Sequence, residues 1–271
     1  SICSQCPVGC NLTYDVRREA KSGGKTVIKR VMPRQNEEVN EIWLCDKGRF
    51  TYSYAESAER LRQPLVRKDG ELVPVSWQEA LSTAAEKIKA AGANVVSLVS
   101  GRLSNESLLA ARSLGSAIGG QTVLYSAMGG GEWVTRIGMT AGSNLGNLKK
   151  GAVILVIASD LHQEAPLWWL RVKQAAERGA TLIVANARKT RLDKYASFSS
   201  RYAFGDEVQA LRDLFTANKE TADAIRSAED LVIFYGSDGL GFAQSAALAQ
   251  TCAELLVKTG HAGKPNNGLI P

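Results

Sequence analysis

Four of the five cysteines of this 271-residue chain lie within its first 45 residues, and their spacing restricts how that segment can fold. Cys3, Cys6 and Cys10 form a C-x2-C-x3-C triplet, and Cys45 follows much later in the chain. Cysteines this close together pair poorly as disulfides, because a disulfide needs a particular separation and orientation of its two Cα–Cβ bonds. Thiolates on one tight loop that meet a fourth from a distant segment are typical of a metal site.

The spacing of the four cysteines favours one kind of metal site over two alternatives. Zinc sites usually combine C-x2-C with a second C-x2-C or a histidine pair, whereas here the second segment supplies Cys45 alone. A compact triplet with one remote cysteine fits a [4Fe–4S] cluster better. Zinc stays open as an alternative. Disulfides are the least favoured alternative. Cys252 is a lone cysteine in an apolar helical segment, which is typical of proteins from reducing compartments, where disulfides are rare.

The chain divides into two regions of different pattern. Residues 1–75 are predicted to form a small β-rich domain, in which 11–18 and 25–31 are the strands of a hairpin. From Ser76 onward, helical segments alternate with apolar strands, which predicts a doubly wound α/β domain over residues 76–271.

Several apolar runs define the strands of that second domain. The strongest is AVILVIA at 152–158, which is apolar on both faces and therefore predicts a buried strand of a parallel sheet. Ser76 with Glu79 forms a capping box, and it predicts the start of a helix that ends near Gly92. A mostly parallel sheet covered by helices on both faces is the expected architecture.

Charge and hydropathy exclude other classes. The net charge is +6, from 33 basic and 27 acidic residues that are well mixed, so nucleic-acid binding is not expected. No apolar run reaches the length of a membrane span, and no direct membrane insertion is expected. The chain begins with Ser1 and stops at Pro271 without a helix end, so we expect a fragment whose α/β domain is truncated at its C-terminal side.

Two further stretches carry a resemblance to a known family. They are DKGRF, directly after Cys45, and RLRQPLVRKDGELVPVSWQEAL at 60–81. With the cysteine spacing, they resemble the start of the molybdopterin oxidoreductase superfamily, which includes formate dehydrogenases. Within it the chain is similar to the large iron–sulfur subunits of bacterial NADH–quinone oxidoreductases (respiratory complex I). The resemblance covers essentially the whole chain, and it implies an iron–sulfur domain followed by an α/β domain of molybdopterin-oxidoreductase type.

The resemblance also implies roles for particular residues. It implies that Cys3, Cys6, Cys10 and Cys45 ligate one [4Fe–4S] cluster. In molybdoenzymes of the superfamily a lysine just after the last cysteine lies between cluster and pterin, and Lys47 has that position. The resemblance thus implies an electron relay at Lys47; the alternative is a solvated lysine at a turn.

A molybdenum site is not expected. The superfamily's metal ligand is usually a cysteine, selenocysteine, serine or aspartate, and the corresponding window, 126–147, contains no cysteine and offers only Ser126 and Ser143. Active members tend to have Asp-Pro-Arg-x-Thr where this chain reads NARKT at 186–190, so the acid that helps to bind the guanine half of the cofactor is absent. Molybdopterin guanine dinucleotide is therefore not expected as a cofactor.

The resemblance implies a function for the chain. It would be an electron-transfer fragment of a respiratory NADH–quinone oxidoreductase, holding one cluster on a non-catalytic molybdopterin-type domain. Its partners would be the other subunits of that membrane-bound complex, at the cytoplasmic face of the cell membrane, and the fragment alone would be inactive. The alternatives are part of a genuine molybdoenzyme, such as a formate dehydrogenase, and a zinc-binding α/β module.

Overall fold

The computed structural model of the protein describes residues 1–125 and 128–271. Within these residues the chain forms two compact units. The first unit consists of residues 1–51 together with 128–271, and the second consists of residues 52–125. The domain boundary at residue 75 stays a prediction.

The first unit begins with a β-hairpin and a short helix. Strands β1 (Leu12–Glu19) and β2 (Lys25–Pro33) pair antiparallel, which confirms the predicted hairpin, and helix α1 (Asp46–Phe50) follows. Leu12 and Val31 are buried on one face of the hairpin. The hairpin therefore gives the cysteine-bearing segments a common support.

The second unit contains a hairpin and a two-stranded parallel sheet. Ser76 Oγ accepts a hydrogen bond from Glu79 N at 3.2 Å, which confirms the predicted helix cap. The parallel pair is joined by a crossover helix that lies between its two strands in the chain. The elements are β3 (Leu65–Lys68), β4 (Glu71–Pro74), α2 (Trp77–Ala91), β5 (Val96–Val99), α3 (Asn105–Ala117) and β6 (Gln121–Leu124).

The remainder of the first unit alternates helices and strands. Its central strands are continuous apolar runs, as a sheet covered on both faces requires. The elements are α4 (Gly131–Ile137), β7 (Ala152–Ile157), α5 (Leu161–Glu164), α6 (Pro166–Glu177), β8 (Thr181–Ala185), β9 (Phe198–Ser200), α7 (Glu207–Thr216), α8 (Lys219–Arg226), β10 (Asp230–Tyr235), α9 (Phe242–Lys258) and β11 (Gly268–Ile270).

These strands form one five-stranded parallel sheet in the order β11-β10-β7-β8-β9. Ile154 and Leu155 of β7 are fully buried, and residues of α7 and α9 such as Leu211 and Leu248 pack into the same core. The predicted α/β fold is thereby confirmed in this unit, with a parallel sheet at its centre.

The strand order places a topological switch point between β7 and β10. The chain runs from β7 to β8 and β9 on one side, and β10 and β11 lie on the other. Ligands of open α/β sheets bind outside the carboxyl ends of the strands at such a point. Here the ends of β7 and β10 lie so close together that a Cβ on Gly236 would be 2.2 Å from the carbonyl oxygen of Ala158.

The helices of the described residues are all too short or too polar to span a lipid bilayer.

Candidate iron–sulfur site

Three of the four N-terminal cysteines lie on one closed loop. The backbone N–H of Cys3 donates to the carbonyl oxygen of Cys10 at 2.8 Å, and Ser1 and Leu12 exchange two hydrogen bonds just outside it. Gly9 has φ of +67°, a conformation that residues with a side chain rarely adopt. The loop therefore carries Cys3 and Cys10 at its base and Cys6 at its tip.

Cys45 reaches this loop from a separate segment, immediately before α1. It is the N-cap residue of α1, and its carbonyl oxygen accepts a hydrogen bond from Arg49 N at 3.0 Å. Gly48, in the same helix, is buried, and a Cβ there would lie 3.3 Å from Sγ of Cys3 and 2.5 Å from Cδ1 of Leu44. The absence of a side chain at residue 48 thus lets the helix backbone lie against the Cys3 thiol.

The four thiols lie close enough to influence one another electrostatically. Burial, followed by the charges of Cys6, Cys45 and Cys3, raises the pKa of the Cys10 thiol to about 12. Burial also raises the pKa of Cys6, which a hydrogen bond from the backbone of Val8 and the charge of Lys47 oppose. Four thiolates at this place need compensating positive charge, which bound iron or zinc supplies.

The arrangement of the thiols bears on which metal centre fits. All five cysteines, each within the described part of the chain, are free thiols. Among residues 1–125 and 128–271, no three or more His, Cys, Asp or Glu side chains are grouped to hold a metal ion. A single zinc ion needs each sulfur at about 2.3 Å, whereas a cuboidal cluster separates its cysteine ligands more widely. The preference for a cluster over zinc therefore continues to rest on the spacing of the four cysteines.

Lys47 lies between the cysteine loop and the carboxyl edge of the sheet. Its Nζ donates hydrogen bonds to the carbonyl oxygen of Gln163 and, at 3.5 Å, to that of Glu164. Both acceptors belong to α5, the short helix that follows β7. The lysine is exposed and donates to main-chain oxygens; its role as an electron relay stays a prediction.

An ion-pair network lies at the carboxyl ends of three neighbouring strands. Arg188, after β8, donates from Nη1 to Asp160 Oδ2 at 3.0 Å, and its Nε lies 2.8 Å from Asp238 Oδ2. Asp160 follows β7 and Asp238 follows β10, so the guanidinium bridges the two sides of the switch point. A hydrogen bond from Arg188 to Asp160, reinforced by Asp238, raises the pKa of Arg188 against the opposing effect of burial.

The NARKT segment, where the acid of the active family members is missing, has a structural role here. Asn186 is buried, and its Nδ2 donates to the carbonyl oxygen of Ser159 at 3.3 Å and to Asp238 Oδ2 at 3.4 Å. Its Oδ1 accepts from the backbone N–H of Arg188 at 3.0 Å. Thr190 binds Asp193. The polar groups of this segment that could receive a ligand are therefore largely bound to one another.

Of the two serine alternatives, Ser143 lies within the described residues and has the contacts of a loop serine. Ser143 Oγ accepts from the backbone N–H of Asn266 at 2.8 Å and lies 3.4 Å from Thr140 Oγ1, as expected of a loop serine. Ser126 lies outside the described residues. Cys252, in α9, is buried in the core of the sheet, and its pKa is raised by that burial.

Comparison with known proteins places these features in a family. Residues 60–270 match the family model of molybdopterin oxidoreductases. The chain therefore belongs to the molybdopterin oxidoreductase family. Residues 6–53 match a second model, that of the 4Fe-4S domain of NADH-ubiquinone oxidoreductase, NDSU1/NuoG-like.

Particular relatives agree with both matches. The chain is 32% identical over 266 residues to an NADH-quinone oxidoreductase subunit from Streptomyces coelicolor, covering 87% of this chain and 31% of that protein. It is 44% identical over 98 residues to subunit 3 of the Thermus thermophilus enzyme, covering 36% and 12% of the two chains. The chain thus spans about a third or less of the length of these relatives.

Among solved structures, an acetylene hydratase from Pelobacter acetylenicus has a similar fold. The TM-score is 0.66 at 15% sequence identity, over 97% of this chain and 43% of the other. At that identity the similarity concerns the fold alone.

Proposed function

We propose that this chain binds one [4Fe–4S] cluster through Cys3, Cys6, Cys10 and Cys45 and serves as an electron-transfer part of an NADH–quinone oxidoreductase. The observation that carries the proposal is the approach of the four thiols from two separate segments, with the backbone of Gly48, three residues after Cys45, beside Sγ of Cys3. The relatives named as NADH-quinone oxidoreductase subunits, from Streptomyces coelicolor and Rickettsia felis among others, support the biological setting.

When bound, the cluster would supply a one-electron redox centre. The chain's own residues would hold and insulate that centre, since Cys3, Cys10 and Val8 within the loop are all buried. Lys47 contributes a positive charge beside the thiols and is fixed by Gln163. A fixed positive charge near a cluster favours its reduced form, so Lys47 would raise the reduction potential whether or not it relays an electron.

We infer that the α/β domain is non-catalytic and binds no molybdopterin guanine dinucleotide. The inference rests on Arg188, whose guanidinium already bridges Asp160 and Asp238 at the switch point where such a ligand would bind. Asn186 in place of the family's acid supports it. The partners would be the other subunits of the membrane-bound complex, with this chain peripheral to the cytoplasmic face of the membrane.

The experiment is anaerobic purification of the full-length protein, followed by iron, zinc, molybdenum and pterin analysis and by EPR after dithionite reduction. Cys45→Ser is expected to abolish or convert one cluster signal, and Cys252→Ala, which changes a cysteine remote from the site, is expected to leave every signal unchanged. Stoichiometric zinc without iron would refute the cluster and support the zinc-module alternative. Molybdenum with pterin would instead support a genuine molybdoenzyme.

A further inference from the structure

Asn40 is a buried polar residue that contacts both cysteine-bearing segments. Its side chain is 1% exposed, and its Oδ1 accepts a hydrogen bond from the backbone N–H of Asn11 at 2.9 Å. Asn11 directly follows Cys10. One side of the Asn40 carboxamide is therefore attached to the end of the loop that carries three of the four thiols.

The other side of the same carboxamide binds the segment that leads to Cys45. Nδ2 of Asn40 donates to the carbonyl oxygen of Trp43 at 3.1 Å and to that of Arg34 at 3.3 Å. The carbonyl oxygen of Asn40 also accepts from Trp43 N at 2.8 Å. Since Trp43 is two residues before Cys45, one planar group links the backbone next to Cys10 with the backbone next to Cys45.

An asparagine side chain matches this arrangement. The site needs an acceptor for one N–H and N–H donors for nearby carbonyl oxygens, which are those of Trp43 and Arg34 and, at 3.5 Å, that of Glu41. Aspartate would keep the acceptor but would bring a second oxygen, and a buried charge, against two carbonyl oxygens. Each buried group left without a partner costs about 1–3 kcal/mol.

We propose that Asn40 is a positioning residue of the metal centre, which sets the separation between Cys10 and Cys45 and thereby determines whether the four thiols can take up the cluster. The proposal rests on the proposed function of the cysteines. Removing a residue that hydrogen-bonds to a metal ligand typically lowers the metal affinity by about 10- to 100-fold. A comparable loss is expected here, since Asn40 acts on two ligand segments at once.

The chain offers a matched control in Asn267. It is equally buried, at 1% exposed; its Oδ1 accepts from Leu231 N at 2.6 Å, and its Nδ2 donates to Asp230 Oδ1 at 2.9 Å and to the carbonyl oxygen of Pro265 at 2.8 Å. Like Asn40, it accepts from one backbone N–H and donates to more than one oxygen, although one of its acceptors is the carboxylate of Asp230. Changes at Asn267 therefore report the general cost of removing a buried carboxamide.

The test compares Asn40→Ala and Asn40→Asp with Asn267→Ala and Asn267→Asp in the full-length protein purified anaerobically. The measurements are iron per protein, the g values and reduction potential of the EPR signal that Cys45→Ser alters, and the unfolding temperature. We expect both pairs to lower the unfolding temperature. Only the Asn40 pair should shift the g values or potential, and it should lower iron retention under chelator roughly tenfold or more.

The outcomes separate the two proposals. If the Asn40 variants keep the parental signal, potential and iron retention while Cys45→Ser alters the signal, the role of Asn40 is refuted and the cluster proposal stands. If Cys45→Ser alters no signal, the cluster proposal itself fails. If Asn40→Ala does not fold, Asn40→Ser takes its place, because serine retains a small hydrogen-bonding group. The same criteria then apply, and maleimide labelling of the buried Cys10 in the iron-free protein is measured as well.

Discussion

Arg171 of α6 forms an ion pair with Glu41, 130 residues earlier in the chain, in which the arginine side chain is only 5% exposed. The same guanidinium donates from Nη2 to the carbonyl oxygen of Glu37 at 2.7 Å. Glu41 has φ of +48°, so the loop holds a non-glycine residue in the left-handed region. The sheet domain thus fixes the conformation of the loop that leads to Cys45.

We expect Arg171→Met to destabilise the protein by about 2 kcal/mol, because it leaves the partly buried Glu41 carboxylate with only the hydrogen bond from Trp43 Nε1 and leaves the carbonyl oxygen of Glu37 without the guanidinium. The double variant Arg171→Met/Glu41→Gln should recover much of that loss, since both charges are then absent. The midpoint of chemical unfolding measures both effects.

Lys173→Ala is the control for that prediction, because Lys173 lies in the same helix and pairs with Glu177 at the surface, at 3.4 Å. Its effect should remain within about 0.5 kcal/mol. Equal midpoints for Arg171→Met and Lys173→Ala would contradict the prediction.

Gly48→Ala should separate stability from metal binding. The new Cβ would lie 3.3 Å from Sγ of Cys3, while Leu44 Cδ1, at 2.5 Å, belongs to a flexible side chain that can move away. Alanine in a helix is favoured over glycine by about 1 kcal/mol, which offsets that rearrangement. We expect a nearly unchanged unfolding midpoint but a lower iron content, measured on the anaerobic protein.

Gly131→Ala is the counterpart at the start of α4, where no atom lies within 4 Å of the added Cβ. It should leave iron content and EPR signal at parental values. Parental iron binding by Gly48→Ala as well would show that the helix backbone does not confine Cys3.

Arg188→Gln removes the bridge between Asp160 and Asp238. The side chain of Asp160 is 9% exposed, and its Oδ1 already has no hydrogen-bond partner among the described residues. Losing the Oδ2 partner should cost about 2 kcal/mol of unfolding free energy. Lys258→Gln, in a surface pair with Glu254 at 3.8 Å, serves as the control with an expected change near zero. Identical unfolding curves for the two variants would disprove the role of Arg188.

Asp193→Asn should change how stability depends on pH. Burial acts to raise the pKa of Asp193, but hydrogen bonds from Arg201 and Thr190 outweigh it and hold the pKa below its ordinary value. A carboxylate whose pKa is lowered in the folded state stabilises that state fully above its pKa in the unfolded state, about 3.9. This stabilisation is lost as the pH falls through the pKa of the folded state.

Asp193→Asn is therefore expected to cost about 1–2 kcal/mol near pH 7 and progressively less below about pH 4. Unfolding midpoints between pH 7 and pH 3 measure the difference. Asp223→Asn, whose side chain is 59% exposed beside Arg226, should show no such dependence. A constant difference between Asp193→Asn and the parent at all pH values would rule out the mechanism.

The central strands were predictable because strands buried on both faces consist of continuous apolar residues. β7, β8 and β10 are continuous apolar runs, and such runs are recognisable without knowledge of their neighbours. β9 and β11 are three residues long and exist through pairing with β8 and β10, so their own sequence carries no alternation.

The glycine run at 129–131 shows a different limit. As a sequence it indicates a flexible loop, but the structure has α4 beginning at Gly131. A Cβ on Gly130 would lie 2.2 Å from Cβ of Ala249 in α9. The glycines therefore permit close packing against a helix more than 100 residues away, which local pattern does not reveal.

The candidate site also contains residues that the sequence reveals and residues that it does not. The cysteines have an informative spacing, whereas Asn40 and Arg171 act through partners 29 and 130 residues distant. An asparagine and an arginine in such positions look like any surface residue. Their importance arises only from burial and from the groups that the fold brings to them.

The long separation between Glu41 and Arg171 has a consequence for biosynthesis. Cys45 is synthesised well before α6, which follows only after the whole of residues 52–125. At about 5–20 residues per second, that interval lasts on the order of ten seconds. Throughout it the loop around Glu41 lacks its Arg171 partner, so the cysteine-bearing segments leave the ribosome before the helix that holds them in place.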